Sequence, residues 1–117
     1  MKVEWVFFGV GVENFDRAIV WYGALFGRDA DLVVTDDEMM WQLSDSTCLY
    51  VTRDDERHGR ALLTIAVPDV DAIVDAIRDR GIEPGPVQQV GGAGRKVVVT
   101  DPEGNTFNFV ELVAPGH

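Results

Sequence analysis

The sequence is short of the residues that most often do chemistry. It has one cysteine, Cys48, and two histidines, His58 and His117, in 117 residues. A single thiol cannot close an internal disulfide, so a cytoplasmic location is the expectation. Cys48 has no histidine near it in sequence and reads as a buried, inert thiol. The histidines fall in a charged stretch and at the C-terminus, so no Ser-His-Asp set can be assembled and no catalytic residue is assigned. Basic residues are scarce too: ten Lys and Arg against twenty Asp and Glu leave a formal charge of −10. That balance argues against nucleic acid and anionic membrane as partners. It suits a cationic ligand, and it equally suits plain solubility. No run of about 18 apolar residues exists, so no membrane-spanning helix is expected. Met1-Lys2-Val3-Glu4-Trp5 lacks the layout of a secretion signal.

What is present is an ordinary soluble composition, 46% hydrophobic and 26% charged, in a chain long enough for one domain with one modest core. Residues 3–12 read as a strand. Val6, Phe8, Val10 and Val12 share one face, and Trp5, Phe7, Gly9 and Gly11 share the other. Asn14 is placed to cap a helix whose stripe is Phe15, Ala18, Ile19, Tyr22, Leu25 and Phe26, stopped by Gly27. Residues 30–35, 39–43 and 47–52 read as three strands. The charged stretch 53–60 reads as an exposed linker. The order then repeats. A strand over 61–67 leads through Pro68-Asp69 into a helix with Val70, Ile73, Val74 and Ile77 on one stripe, ended by Gly81. Pro84 and Pro86 confine any strand over 82–90 to a sheet edge. Gly91-Gly92-Ala93-Gly94 reads as a loop or lid, and the last two strands flank the turn Asp101-Pro102-Glu103-Gly104-Asn105.

Val12-Glu13-Asn14-Phe15-Asp16 matches Val67-Pro68-Asp69-Val70-Asp71, and the helix stripes correspond. The fold class is therefore α+β: two βαβββ repeats, about 1–57 and about 58–117, in a single domain. Such a unit leaves one sheet face uncovered by its helix, so the two are expected to pair around those bare faces and enclose a cleft.

These pieces resemble the vicinal oxygen chelate superfamily, which includes glyoxalase I, bleomycin-resistance proteins, fosfomycin-resistance enzymes and extradiol dioxygenases. Residues 12–18 followed by Trp21-Tyr22 are similar to its first strand–helix junction. Leu25-Phe26-Gly27 is similar to the close of that helix, and Asp101-Pro102-Glu103-Gly104-Asn105 to its Asp-Pro-acidic-Gly-Asn turn. The resemblance implies a curved mixed-sheet cleft and a homodimer. In metal-using members it implies four His, Glu or Gln ligands holding a divalent ion that polarises vicinal oxygens. Carried across, those positions are Phe7, Tyr50, Leu62 and Asn108. Phe7 and Leu62 cannot bind a metal and the other two are poor ligands, so no metal and no cofactor are expected. Glu111 is the rescue candidate for a non-standard site, or Gln42, although period 2 turns Glu111 away from Asn108.

With those positions fixed, alternation assigns the cleft side to Trp5, Phe7 and Gly9, to Cys48, Tyr50 and Thr52, to Leu62, Thr64 and Ala66, and to Thr106, Asn108 and Val110. The opposite positions, Phe8 and Val10, Leu49 and Val51, Leu63 and Ile65, Phe107 and Phe109, are expected under the helices. Either Trp41 or Gln42 adds to the wall. The candidate ligand-binding residues are Trp5, Phe7, Trp41, Tyr50, Leu62, Thr64 and Asn108. The function read from this is a metal-free protein that binds a hydrophobic or aromatic, and in one version cationic, small molecule. Two alternatives stand beside it: a metal-dependent lyase, isomerase or dioxygenase, and a structural partner whose cleft is filled.

Overall fold

The computed structural model describes residues 1–92 and 94–112. Ala93 and His117 lie outside the described residues. Ten elements follow in order: β1 (Val6–Val12), α1 (Phe15–Phe26), β2 (Leu32–Thr35), β3 (Glu38–Ser44), β4 (Thr47–Arg53), β5 (Leu62–Ala66), α2 (Val70–Asp79), β6 (Gln88–Val90), β7 (Gly94–Thr100) and β8 (Thr106–Leu112). They form two mixed four-stranded sheets of matching design, β1-β4-β3-β2 and β5-β8-β7-β6. In each, the first strand runs parallel to the last and the rest are antiparallel. The proline-interrupted segment ends in β6, an edge strand, where missing amide hydrogens do no harm. Among the described residues no helix is long and apolar enough to cross a membrane.

Local chemistry sets the helix bounds. The Asn14 side chain accepts from the Arg17 amide at 3.1 Å, and Gly27 takes the left-handed conformation (φ 72°) that ends α1. Asp69 caps α2 by accepting from the amides of Asp71 and Ala72 at 2.9 and 3.3 Å. Phe15, Ala18, Tyr22 and Leu25 of α1 and Val70, Val74 and Ile77 of α2 are buried, the stripes that 3.6-residue spacing predicts.

Both stripes enter the same core. Tyr22 touches Trp41 of its own sheet and Phe107 of the other, at ring separations of 6.2 and 5.8 Å. The two repeats thus meet on their helix-bearing faces. Among the described residues no strand of one sheet pairs with a strand of the other, and the two bare faces point outward, with Phe7 53% and Leu62 70% exposed. This corrects the expectation that the bare faces enclose a cleft inside one chain. The physical reason is that both sides of each sheet are apolar: the helix side, with its larger buried stripe, takes the intramolecular contact. Phe8 was expected under a helix but remains 40% exposed, because β1 is the outer strand of its sheet.

The 101–105 turn ties the repeats together. The buried Asp101 carboxylate receives four donors: the Tyr22 hydroxyl at 2.8 Å, the Asn105 side-chain amide at 2.9 Å, and the backbone amides of Glu103 and Asn105 at 2.8 and 2.9 Å. Fully buried Asn105 reaches on to both repeats, donating to the Gly11 carbonyl and accepting from the Ala61 amide. Burial first, and then the neighbouring Asp101 charge, push the Tyr22 hydroxyl well above the usual tyrosine range. It therefore stays protonated and donating. Because the folded value is raised, its contribution is intact below about pH 10 and is lost as pH rises beyond that. Tyr22→Phe should accordingly lower the melting temperature at neutral pH by the loss of a bond worth about 1.5–3 kcal/mol, and the gap to wild type should narrow in melts run above pH 10.

The second repeat adds a further contact at each end of α1. The Glu103 carboxylate accepts from the amides of Glu13 and Asn14 at 2.6 and 3.0 Å, at the positive end of the helix dipole. The Arg80 guanidinium donates to the Ala24 and Leu25 carbonyls at the other end, where α1 has no basic residue of its own. Glu103→Ala should cost about 1 kcal/mol, the usual value of an N-terminal cap. Chemical denaturation of the two proteins would check it.

Candidate functional site

β1, β4 and β3 build the first bare face. Phe7 lies opposite Cys48 and Gly9 opposite Tyr50. Gln42 and Met40 continue those rows on β3. Trp5, just before β1, stacks on Phe7 at 6.1 Å and 25° between ring planes. With Trp5 46% and Phe7 53% exposed, this is aromatic surface open to solvent. The Tyr50 ring lies flat over Gly9: a Cβ there would come 2.5–2.9 Å from its Oη, Cζ and Cε2 atoms. Only glycine lets the ring settle onto the strand. The ring floors a cavity of about 440 Å³, with Gly9, Gly11 and Thr52 beside it and the 54–61 linker at its rim. In that rim Asp54 accepts from the amides of Glu56 and Arg57 and from the Arg57 guanidinium at 3.1, 2.9 and 2.8 Å. The Arg57 amide first, then its side chain, hold the Asp54 carboxyl below the usual carboxylate range.

β5, β8 and β7 build the second bare face. Leu62 is opposite Thr106, Thr64 opposite Asn108, and Val98 flanks Asn108 on the other side. The Asn108 side-chain amide donates to the Thr64 hydroxyl at 3.4 Å. The face is apolar with a few hydroxyls and one amide, as alternation predicts.

Six of the seven candidates, Trp5, Phe7, Tyr50, Leu62, Thr64 and Asn108, thus lie on the bare faces, three on each. Trp41 does not. It is 1% exposed, packed between Tyr22 and Phe26, with its indole N–H donated to the Arg28 carbonyl at 3.1 Å. The neighbouring Gln42 is the residue turned to the bare side and to solvent. Reading from sequence missed Met40 and Lys96, which share the bare faces. Counting by twos from Asn108 across the hairpin would have found Lys96.

A family model for the glyoxalase/bleomycin resistance protein/dioxygenase superfamily matches residues 5–109. The chain belongs to that superfamily. Among solved structures it is similar to a glyoxalase/bleomycin resistance protein from Catenulispora acidiphila DSM 44928, at 33% identity over 92% of this chain and 96% of that one, with a TM-score of 0.86. Two more distant structures share the fold. TnmS3, an antibiotic binding protein from Streptomyces sp. CB03234, is 20% identical over 97% of both chains, with a TM-score of 0.74. A bleomycin-binding protein complexed with bleomycin is 13% identical over 97% of this chain and all of that one, with a TM-score of 0.75. No curated protein matches by sequence.

The divalent ion used by catalytic members of this superfamily does not fit the residues that stand here. Phe7 and Leu62 offer no donor atom, and the Asn108 amide is turned to Thr64. Among the described residues no three His, Cys, Asp or Glu side chains converge. Glu111 is committed elsewhere. Its carboxylate accepts from the Arg95 guanidinium at 3.0 and 3.1 Å and from the Val70 amide at 3.2 Å, on the helix side of the sheet. Arg95 first, then the Val70 amide, hold the Glu111 carboxyl below the usual range. The Glu111 candidate is corrected on this ground: it closes the N-terminus of α2 and does not reach the bare face.

Proposed function

We propose that this is a metal-free small-molecule-binding protein of the bleomycin-resistance type, and that its ligand is planar and largely apolar. The observation that carries the reading is the open aromatic floor: the exposed, stacked Trp5–Phe7 pair, with partly buried Tyr50 laid over Gly9 beside it, on a sheet face that no described helix covers. Large solvent-facing aromatics at this density mark a surface that is covered in use. The two outward faces of one chain cannot close on each other. The cleft is therefore completed in a homodimer, with Trp5, Phe7 and Tyr50 of one copy facing Leu62, Thr64 and Asn108 of a second. The superfamily's antibiotic-binding and bleomycin-binding members lend the ligand class, and the −10 charge lends a bias toward cations at long range.

The experiment is a thermal-shift and calorimetric titration of chelator-treated protein with bleomycin and with the neutral aromatic probe 2-naphthylmethanol. A bound ligand raises the melting temperature by mass action. Saturable binding without added metal supports the reading; binding that appears only with a divalent ion replaces it with the enzyme reading. Gly9→Ala supplies an internal check. Its methyl lifts the Tyr50 ring off the strand and should weaken the naphthalene probe about tenfold, the effect of about 1.4 kcal/mol. The backbone at position 9 suits alanine, so the melting temperature of the free protein should change little.

A further inference from the structure

The overall charge and the charge on the second bare face point in opposite directions. Most basic side chains are already matched. Arg28, Arg53, Arg57, Arg78 and Arg95 each pair with an acid, and Arg80 closes α1. Lys96 is not matched. It sits in mid-β7, opposite Val110 on one side and Gln88 on the other. Val97 and Val99 face the core, so alternation puts Lys96 on the bare face with Val98 and Asn108. It is half-buried, and among the described residues it makes no hydrogen bond or ion pair. Among the described residues no acid shares that face. Glu111, the acid of β8, points the other way, into Arg95.

Lys96 thus places a positive charge on an otherwise apolar and amide-bearing face, with its stem partly covered. In a chain with twice as many acids as bases, a counter-charge would be easy to supply. We infer that the counter-charge comes from the ligand: the cleft takes an aromatic compound bearing an anionic oxygen, such as a carboxylate, received by Lys96 beside Asn108. This rests on the reading of the bare faces as a ligand cleft. Lys96 and Asn108 are diagonal neighbours on adjacent strands, about 7–8 Å apart at Cα, so the flexible lysine and the amide can converge on one carboxylate. The aromatic body then lies against the Trp5, Phe7 and Tyr50 face of the second copy. The protein's net negative charge does not prevent this. It is screened beyond about 8 Å at physiological salt, so it slows the approach of an anion, whereas Lys96 acts at contact.

Three probes of one shape separate the terms: 2-naphthoate, neutral 2-naphthylmethanol and the cation 2-naphthylmethylammonium. Each is titrated calorimetrically into the full chain, wild type, Lys96→Gln and Lys96→Arg. Naphthoate should bind wild type about tenfold more tightly than the alcohol, the value of one charge-assisted hydrogen bond. Lys96→Gln should erase that advantage, and a cooperative thermal melt on the same preparation shows the variant to be folded. Lys96→Arg should retain most of it. The inference is overturned if the ammonium matches or beats naphthoate, or if Lys96→Gln leaves naphthoate binding as it was. Alcohol binding with no charge preference overturns the anion inference alone. Failure of all three probes to bind overturns the cleft reading and this inference with it.

Discussion

Asp101→Ala is expected to lower the melting temperature by about 20 °C, from the loss of about 4–5 kcal/mol in a small domain. Four donors converge on that carboxylate, and all lie in or against the core. Alanine leaves them with nothing to accept their protons. Each stranded donor costs about 1 kcal/mol or more, against a total stability of about 5–15 kcal/mol for a domain. The loss also spreads. Asn105, no longer held by Asp101, loses its aim at the Gly11 carbonyl, a bond that crosses between the repeats, and at the Ala61 amide within its own repeat. Asp101→Asn keeps the shape but turns a donor toward other donors, so it should recover less than half of the loss. A drop under about 5 °C for the alanine variant, an effect of only about 1 kcal/mol, would mean that the turn is not the junction between the repeats.

The second large effect is on binding. Trp5→Ala combined with Phe7→Ala should weaken the 2-naphthylmethanol probe about a hundredfold, equivalent to about 2.7 kcal/mol. Each ring contributes stacking of about 0.5–1.5 kcal/mol beyond simple burial. The same substitutions should cost the free chain little, because both rings are about half exposed and lie outside the buried core. That separation distinguishes a ligand floor from a packed core: a core aromatic cut to alanine would cost about 3–5 kcal/mol of stability. Calorimetry and a thermal melt on the same preparation read both quantities. Should the rings instead serve only the contact between copies, the variant would change sedimentation and leave the probe's affinity per folded chain untouched.

Much of this was legible in the residues, and the reasons are physical. In strands a period of two is rigid, so fixing Asn108 also fixed Thr64, Leu62 and Thr106 on one side and Phe107 and Phe109 on the other, as the register bears out. The helices announced themselves through Asn14, Asp69 and the glycines after them. Trp41 was lost for a specific reason: β3 carries a register shift between Gln42 and Ser44, so counting back through the 44–46 turn misassigns its faces. The manner in which the repeats meet was not readable either. Both faces of β1 are apolar, Phe7 and Gly9 on one, Phe8 and Val10 on the other. The contacts that decide between them join residues far apart in sequence, such as Glu103 with Glu13 and Tyr22 with Asp101. Alternation says which residues share a face; it does not say which face another part of the chain will cover.

The most direct test is the titration of 2-naphthylmethanol into chelator-treated wild-type protein and into the Trp5→Ala/Phe7→Ala variant, read by calorimetry. The account predicts saturable binding to the wild type without any metal and near-complete loss of it in a variant that still melts cooperatively. Binding that requires an added divalent ion, or that survives removal of both rings, would contradict it.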